Sequence, residues 1–284
     1  MIYNYLCRQN STCMKPYFLI TLTLFPLLFA ACGEKNEVHL GSKTEEQAEE
    51  QPLKGDSTIY GLACEGCTDS VVVLLPQDGS DPVTYNIIQA KRNGKVLGKM
   101  KVGDWIGVVL DQHDKRVARL AVDLDELQGI WCYVVMPRLR DSVNIEITDS
   151  LRDIYFIPRE YGFWLKRQWN AQSVGYVSEQ TSLEDASPVT YPRLLFYTNW
   201  RIWNGKLIVI SGDIKMNKDN SNYTIVNPRN DTCDIDYLGN DSLVLSSDGE
   251  SRSYYRKSNV RDINVKARRI AEQLRQKALA ETTK

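Results

Sequence analysis

Histidine is nearly missing from this chain: there are two in 284 residues, His39 and His113. A Ser-His-Asp triad or a multi-histidine metal centre would have to be assembled around His113. It sits beside Asp111 and Asp114 in a polar turn, where a lone histidine is normally solvated surface. No glycine-rich phosphate cradle and no zinc-binding helix motif occurs. Helical periodicity is absent from the strand-rich run that starts at Asp56. Neither charge sign dominates, with 35 basic against 36 acidic residues. The chain therefore lacks the basic footprint of a nucleic-acid binder, and no nucleic-acid partner is expected. Catalysis is the less supported class, and no cofactor or metal is expected.

What is present starts with the leader. "MKPYFLITLTLFPLLFAAC" places Lys15 before an apolar run from Tyr17 to Phe29, then small residues and Cys32. That layout is a secretory signal, too short for a comfortable membrane span. Residues 1–13 suit a signal poorly, so translation is expected from Met14. Phe29-Ala30-Ala31-Cys32 resembles a bacterial lipobox, which implies diacylation of the Cys32 thiol and a signal peptide over 1–31. Two acyl chains hold a protein on a membrane where one does not. Gly33 and Glu34 do not resemble an inner-membrane retention signal, so the outer membrane is the expected location. Residues 32–55 are Glu-rich and without aromatics, and read as a disordered tether. A flexible coil of that length reaches on the order of 25–30 Å.

Hydrophobic residues make up 43% and aromatics 10%, enough to bury a globular core after the tether. From Asp56 the chain reads as short strands, "STIYGLA", "SVVVLLP", "DPVTYNII", "DWIGVVLD" and "RVARLAVDL", punctuated by Asp78-Gly79, Asn93-Gly94 and Gly103-Asp104. Five short strands over 56–123 suit a small closed β unit of OB-like or SH3-like size.

A second run opens with "LQGIW" at Leu127 to Trp131 and resembles the G-x-W signature of lipocalins and of bacterial lipocalin-like lipoproteins. "YGFWLKRQWNAQSVG", "FYTNWRIWNGKLIVISGD" and "NDTCDIDYLGNDSLVLSSDGESRSYYRK" resemble the later hairpins of that family, in the same order. The resemblance spans 124–257 and implies an all-β, up-and-down antiparallel barrel. It implies closure by Gly129 and Trp131, with Arg256 laid over the tryptophan as a cation–π contact. It also implies a cavity for a small apolar or lipid-like ligand, which Trp164, Trp169, Phe196, Trp200 and Trp203 could line or equally fill.

After Ser258, Ile263, Ala267, Ile270, Leu274 and Ala278 recur at spacings of three and four, with Arg261, Arg268 and Arg275 on another face. Residues 258–284 therefore read as an amphipathic helix capped at Ser258 or Asn259. From Ser251 onward there are 10 basic and 3 acidic residues. The helix either packs on the barrel or serves as an arm for an acidic partner or anionic lipid.

Of seven cysteines, Cys7 and Cys13 precede the cleavage point and Cys32 takes lipid, leaving Cys64, Cys67, Cys132 and Cys233. Export to an oxidising envelope permits a disulfide between Cys64 and Cys67. Free structural thiols and a metal or redox pair are the alternatives, although no second C-x-x-C and no nearby histidine completes a zinc site. Residues 60–74 also resemble the C-x-x-C segment of an outer-membrane stress lipoprotein family linked to copper homeostasis and adhesion. An oxidised pair without metal is the expectation. Taken together, the chain reads as a membrane-anchored envelope lipoprotein that binds a small apolar ligand, or alternatively a structural or stress-sensing protein that contacts an envelope partner.

Overall fold

In the computed structural model the described residues are 53–140, 148–177, 187–216 and 223–282. Cys32, the leader and the tether up to residue 52 lie outside them. Among the described residues no helix is long and apolar enough to cross a membrane.

Alternating apolar residues build the first unit. Strands β1 (Thr58–Ala63), β2 (Val71–Pro76) and β3 (Val83–Asn86) form an antiparallel meander, and Val72 and Leu74 turn into its core. At Asn86 the expected strand stops early. The Asn86 side chain accepts the Ile88 N–H at 2.9 Å, a local bond that competes with a ladder and starts helix α1 (Ile88–Arg92). After β4 (Val96–Leu97), β5 (Trp105–Leu110) returns beside β1, and β6 (Ala118–Asp123) pairs with β5. A parallel bridge between Asn86 and Val117 brings the end of β3 back to the start of β6. The six strands run in the order β3-β2-β1-β5-β6-β4, with β4 parallel to β6, and make a partly open barrel of the OB-like or SH3-like size expected from sequence.

Helix α2 (Leu124–Leu127) links the units, capped by Asp123, whose side chain accepts the Glu126 N–H. The second unit is an up-and-down barrel. Its strands are β7 (Gly129–Val135), β9 (Arg159–Leu165), β10 (Ala171–Val174), β12 (Phe196–Trp203), β13 (Lys206–Met216), β14 (Tyr223–Leu238), β15 (Ser242–Ser247) and β16 (Glu250–Lys257). Each pairs antiparallel with its neighbour in the barrel, and β16 returns to β7. The ring is nearly closed across β10 and β12, where Trp200 N–H donates to Trp169 O at 2.8 Å and Tyr197 N–H to Ser173 Oγ at 2.7 Å. Register shifts in β12, β13 and β14 bend these long strands around the ring. A ribbon of β8 (Arg138–Leu139) and β11 (Val189–Thr190) and helix α3 (Asp149–Tyr155) ride on the connections. The all-β reading, with a small OB- or SH3-like unit, an antiparallel lipocalin-like barrel and a C-terminal helix, describes this architecture.

The two barrels share one core. Leu97, Val122, Leu124 and Leu127 from the OB side join Trp131, Leu165, Trp200 and Leu207 of the larger barrel without a break. Tyr60, Trp105, Trp169 and Trp200 form a chain of ring contacts across the junction, at 5.8 Å for Tyr60–Trp169 and 4.7–4.8 Å for the tryptophan pairs. The Asn204-Gly205 turn between β12 and β13 docks on the small unit. Asn204 Oδ1 accepts the Ser57 N–H and its own N–H donates to Asp56 Oδ1, both at 2.9 Å. Both turn residues have positive φ, and a Cβ on Gly205 would fall 2.6 Å from Leu120. The OB unit thus acts as a stopper in one end of the larger barrel.

The tail begins with a 3-10 turn, Val260–Asp262, capped by Asn259, and continues as α4 (Val265–Thr282). Ile263 and Ala267 are buried against the outside of the barrel.

Candidate functional site

The stoppered end is sealed by the residues that the G-x-W resemblance singles out. Trp131 is fully buried, its Nε1–H donates to Leu127 O at 2.8 Å, and the Arg256 guanidinium lies 4.2 Å from its ring centroid. Arg256 also donates to three carbonyls, Glu126 O, Gln128 O at 2.7 Å and Asn240 O, which ties β16 and its hairpin to the α2 link. Gly129 holds φ 144°, and a Cβ there would fall 2.1 Å from the guanidinium nitrogen. Glycine is needed there to let the arginine pass. Together these groups close the barrel at this end.

The five aromatics expected to share a cavity are distributed differently. Trp169 and Trp200 are in ring contact within the core, and Trp200 Nε1–H donates to Lys166 O at 2.8 Å. Trp164 faces outward onto Ile130, Cys132 and Ile263, with Lys166 Nζ 4.1 Å above its ring. Trp203 reaches back to Lys54 O, and Phe196 begins β12 half-buried. Parity along the strands explains the scatter, since Trp164 has the opposite phase to Phe163 and Leu165. The lower half of the barrel is therefore packed with side chains.

Above that packing, the interior becomes polar. Tyr133 meets Tyr254 edge-on at 5.4 Å, Phe163 touches Tyr197 and Tyr254, and Arg252 lies 4.4 Å over the Tyr133 ring. Burial pushes the Tyr254 hydroxyl up to about 12 despite the nearby Arg252, and raises Tyr197 further, so both stay protonated donors. Inward positions of β9 continue the series as Phe163, Tyr161 and Arg159 toward the open end.

That end holds a cleft of about 310 Å³ lined by Arg140, Arg159, Tyr161, Tyr191 and Arg193 among others. The volume falls at the small end of ligand sites. Arg159 is 9% exposed and its guanidinium stacks 3.5 Å from the Tyr191 ring centroid. Tyr191 OH donates to Ile157 O at 2.7 Å, which fixes the ring beneath the arginine. Arg140 and Arg193 come from the rim, the former beside β8 and the latter in the loop before β12. A second cleft of about 290 Å³, lined in part by Lys95, Arg119 and Lys206, is a notch at the junction where Lys206 pairs with Asp234 at 2.9 Å.

The expected Cys64–Cys67 disulfide is not formed in this structure, where both are free thiols. Cys67 Sγ accepts the Val73 N–H at 3.3 Å and donates to Val73 O at 3.6 Å, which places it against β2. Cys64 Sγ donates instead to Leu62 O at 3.8 Å. Cys132 and Cys233 are free as well, and burial pushes the Cys132 thiol up to about 12, leaving it inert. Among the described residues no group of three or more His, Cys, Asp or Glu side chains is placed to hold a metal ion. His113 is exposed, its N–H bonded to Asp111 Oδ1 at 2.8 Å in the turn between β5 and β6.

A stoppered, up-and-down eight-strand barrel with an arginine-capped tryptophan at its closed end is a lipocalin-like fold. No family model and no curated protein matches the chain. Among solved structures, a lipocalin-like protein from Bacteroides thetaiotaomicron is similar at 20% identity, with 46% of this chain and 95% of that chain covered and a TM-score of 0.25. The fold class stands on strand order and closure, not on that match.

Arg140, Arg159, Tyr191 and Arg193 were not singled out from sequence. One signal was available for Arg159, because in "REYGFWL" it has the same phase as the apolar Phe163 and Leu165. A charge at an inward position of a barrel strand marks either a rim or a site. Rim loops carry no comparable periodicity.

Proposed function

We propose that this protein is a lipid-anchored lipoprotein of the outer membrane whose barrel binds a small ligand at its open mouth. The observation that carries the binding reading is the pairing of a packed, stoppered lower barrel with a cleft at the opposite end, reached by the inward-facing Arg159 and Tyr161. Barrel mouths are preferred places for ligands because strands fix their walls while loops vary. The ligand belongs at the mouth and not among the tryptophans, where core packing already occupies the space. A second reading, contact with another envelope protein through the small unit and the basic tail, draws on that same filled interior.

Anchoring is supported by the leader and lipobox alone. Cys32→Ser is expected to abolish palmitate labelling and release the protein from the membrane fraction, and continued detergent dependence would refute it. For binding, the detergent-solubilised mature chain, incubated with a small-molecule extract of the envelope, should show a discrete adduct by native mass spectrometry. Thr190→Trp, which fills the cleft, should lose that adduct at unchanged melting temperature. Adducts equal on both proteins, or none on either, would favour the protein-contact reading.

A further inference from the structure

We propose that the upper interior of the larger barrel takes the carbonyl group of a neutral, flat, ring-bearing ligand, held by hydroxyls of the Tyr133, Tyr197 and Tyr254 cluster. This deepens the reading of the mouth as a ligand site and rests on it. Ring contacts gather the cluster: Phe163 lies 5.7 Å from Tyr197 and 5.1 Å from Tyr254, and Tyr254 meets Tyr133 at 5.4 Å. The three tyrosines belong to β7, β12 and β16, so barrel strands fix their positions. Tyr133 stands opposite Tyr161 in the β7–β9 ladder, and Tyr161 lines the mouth cleft of about 310 Å³. The hydroxyl layer therefore adjoins the cleft.

Elsewhere in the protein, half-buried tyrosine hydroxyls have structural work: Tyr60 donates to Asp56 Oδ2, Tyr191 to Ile157 O and Tyr255 to Glu160 Oε1. Among the described residues, the hydroxyls of Tyr133, Tyr197 and Tyr254 donate to no protein atom, and none of them is sealed away from solvent. Buried polar groups normally find a partner, so space for water or a ligand reaches this layer. Burial raises the Tyr197 and Tyr254 phenols, which keeps them protonated and able to donate. Charge around them is balanced. Arg252 lies 4.4 Å over the Tyr133 ring, and Asp231, which accepts the Ser211 hydroxyl at 3.2 Å, acts on Tyr197 with the opposite sign. A balanced pair gives an ion no net attraction, so the layer suits a neutral acceptor. A carbonyl oxygen has two lone pairs and takes two of these hydroxyls at once. Phe163 and the tyrosine rings wall the layer, and Tyr161, Tyr176 and Tyr191 continue aromatic wall into the cleft, which suits a flat ring.

Two probes, 2-acetylnaphthalene and 2-ethylnaphthalene, differ only by a carbonyl in place of a methylene. In equilibrium dialysis the full mature chain is expected to bind the ketone about tenfold more tightly, as two neutral hydrogen bonds at their usual net strength allow. Tyr133→Phe, Tyr197→Phe and Tyr254→Phe keep each ring and remove only its oxygen. At least two of them should reduce the preference for the ketone, and the triple variant should abolish it. The triple variant should also keep the wild-type melting temperature, because these hydroxyls bond nothing in the protein, and a clear fall would overturn the proposal. The carboxylate probe 2-naphthoate should bind no more tightly than the ketone, and tighter binding would make this an anion site and overturn the neutral class. Equal binding of ketone and hydrocarbon, lost in Thr190→Trp, leaves the mouth reading standing while the carbonyl proposal falls. Binding of neither removes both.

Discussion

At the scale of single residues, the closed end of the barrel is the most heavily determined place in the molecule. Trp131 is enclosed by the core below and the Arg256 guanidinium above, so Trp131→Ala should cost about 3–5 kcal/mol, as other buried aromatic truncations do. Arg256→Ala loses the ring contact and leaves Glu126 O, Gln128 O and Asn240 O without their shared donor, a loss of roughly 1.5–3 kcal/mol. Arg256→Lys should recover only part of this, because a point charge on a flexible stem cannot serve three carbonyls in a plane. Urea unfolding of both single variants and the double variant tests the pair, and full additivity would mean that the two side chains do not support each other. Gly129, Trp131 and Arg256 could be named from sequence because a short motif and a final strand carried them. The carbonyls of Glu126 and Gln128 could not, since nothing in "DELQG" says which of its peptide oxygens will point at an arginine 128 residues away.

At the scale of elements, the tail shows where periodicity succeeds and where it stops. Spacing of Ile263, Ala267 and Ile270 gives an apolar face, and that face does meet the barrel. The attachment itself is polar and invisible to periodicity. Asn264, with φ 57°, accepts the Glu160 N–H at 2.6 Å and donates to Glu160 O at 2.9 Å and Gly175 O at 2.7 Å. Asn264→Ala should therefore destabilise the fold by about 1–3 kcal/mol through orphaned buried groups. Asn264→Gly should cost less by about 1 kcal/mol, because glycine tolerates positive φ. The Glu160 carboxylate, despite its burial, is held below the usual range by Lys257 at 2.7 Å, Tyr255 OH at 2.6 Å and the Asn264 N–H at 2.9 Å. A lowered carboxylate adds stability above its unfolded pKa and loses it as pH falls through the folded one. The melting-temperature gap between wild type and Glu160→Gln should thus be full at neutral pH and close in acid below the ordinary glutamate range. Deleting residues 259–284 should lower the melting temperature, and a deletion without thermal effect would show the helix to be a free arm.

At the scale of the whole molecule, the two barrels are not independent, because the stopper completes the core of the larger one. A single cooperative unfolding transition is expected by calorimetry, and two separated transitions would contradict the shared core. Sequence gave the two strand sets and their motifs but not this dependence, since which end of a barrel a neighbour occupies is set only once the ring closes. The junction also buries the carboxyl that caps α2. Asp123 is 1% exposed at the end of β6, and burial, reinforced by Asp104, Glu126 and Asp125, pushes its carboxyl up to about 7 while its bond to the Glu126 N–H pulls the other way. The unfolded chain releases that proton near the ordinary aspartate value of about 3.9, so between roughly pH 4 and 7 the folded state holds more protons than the unfolded one. Stability contributed by Asp123 must then fall as pH rises across that window and level off above it. Asn can still accept the capping bond without ever ionising, so Asp123→Asn should match wild type near pH 4 and exceed it at pH 8. Urea midpoints for the two proteins, measured from pH 4 to 8, supply the test. A difference that stays constant over that range would mean that Asp123 is charged in the folded protein throughout, with the junction more open to water than its packing implies.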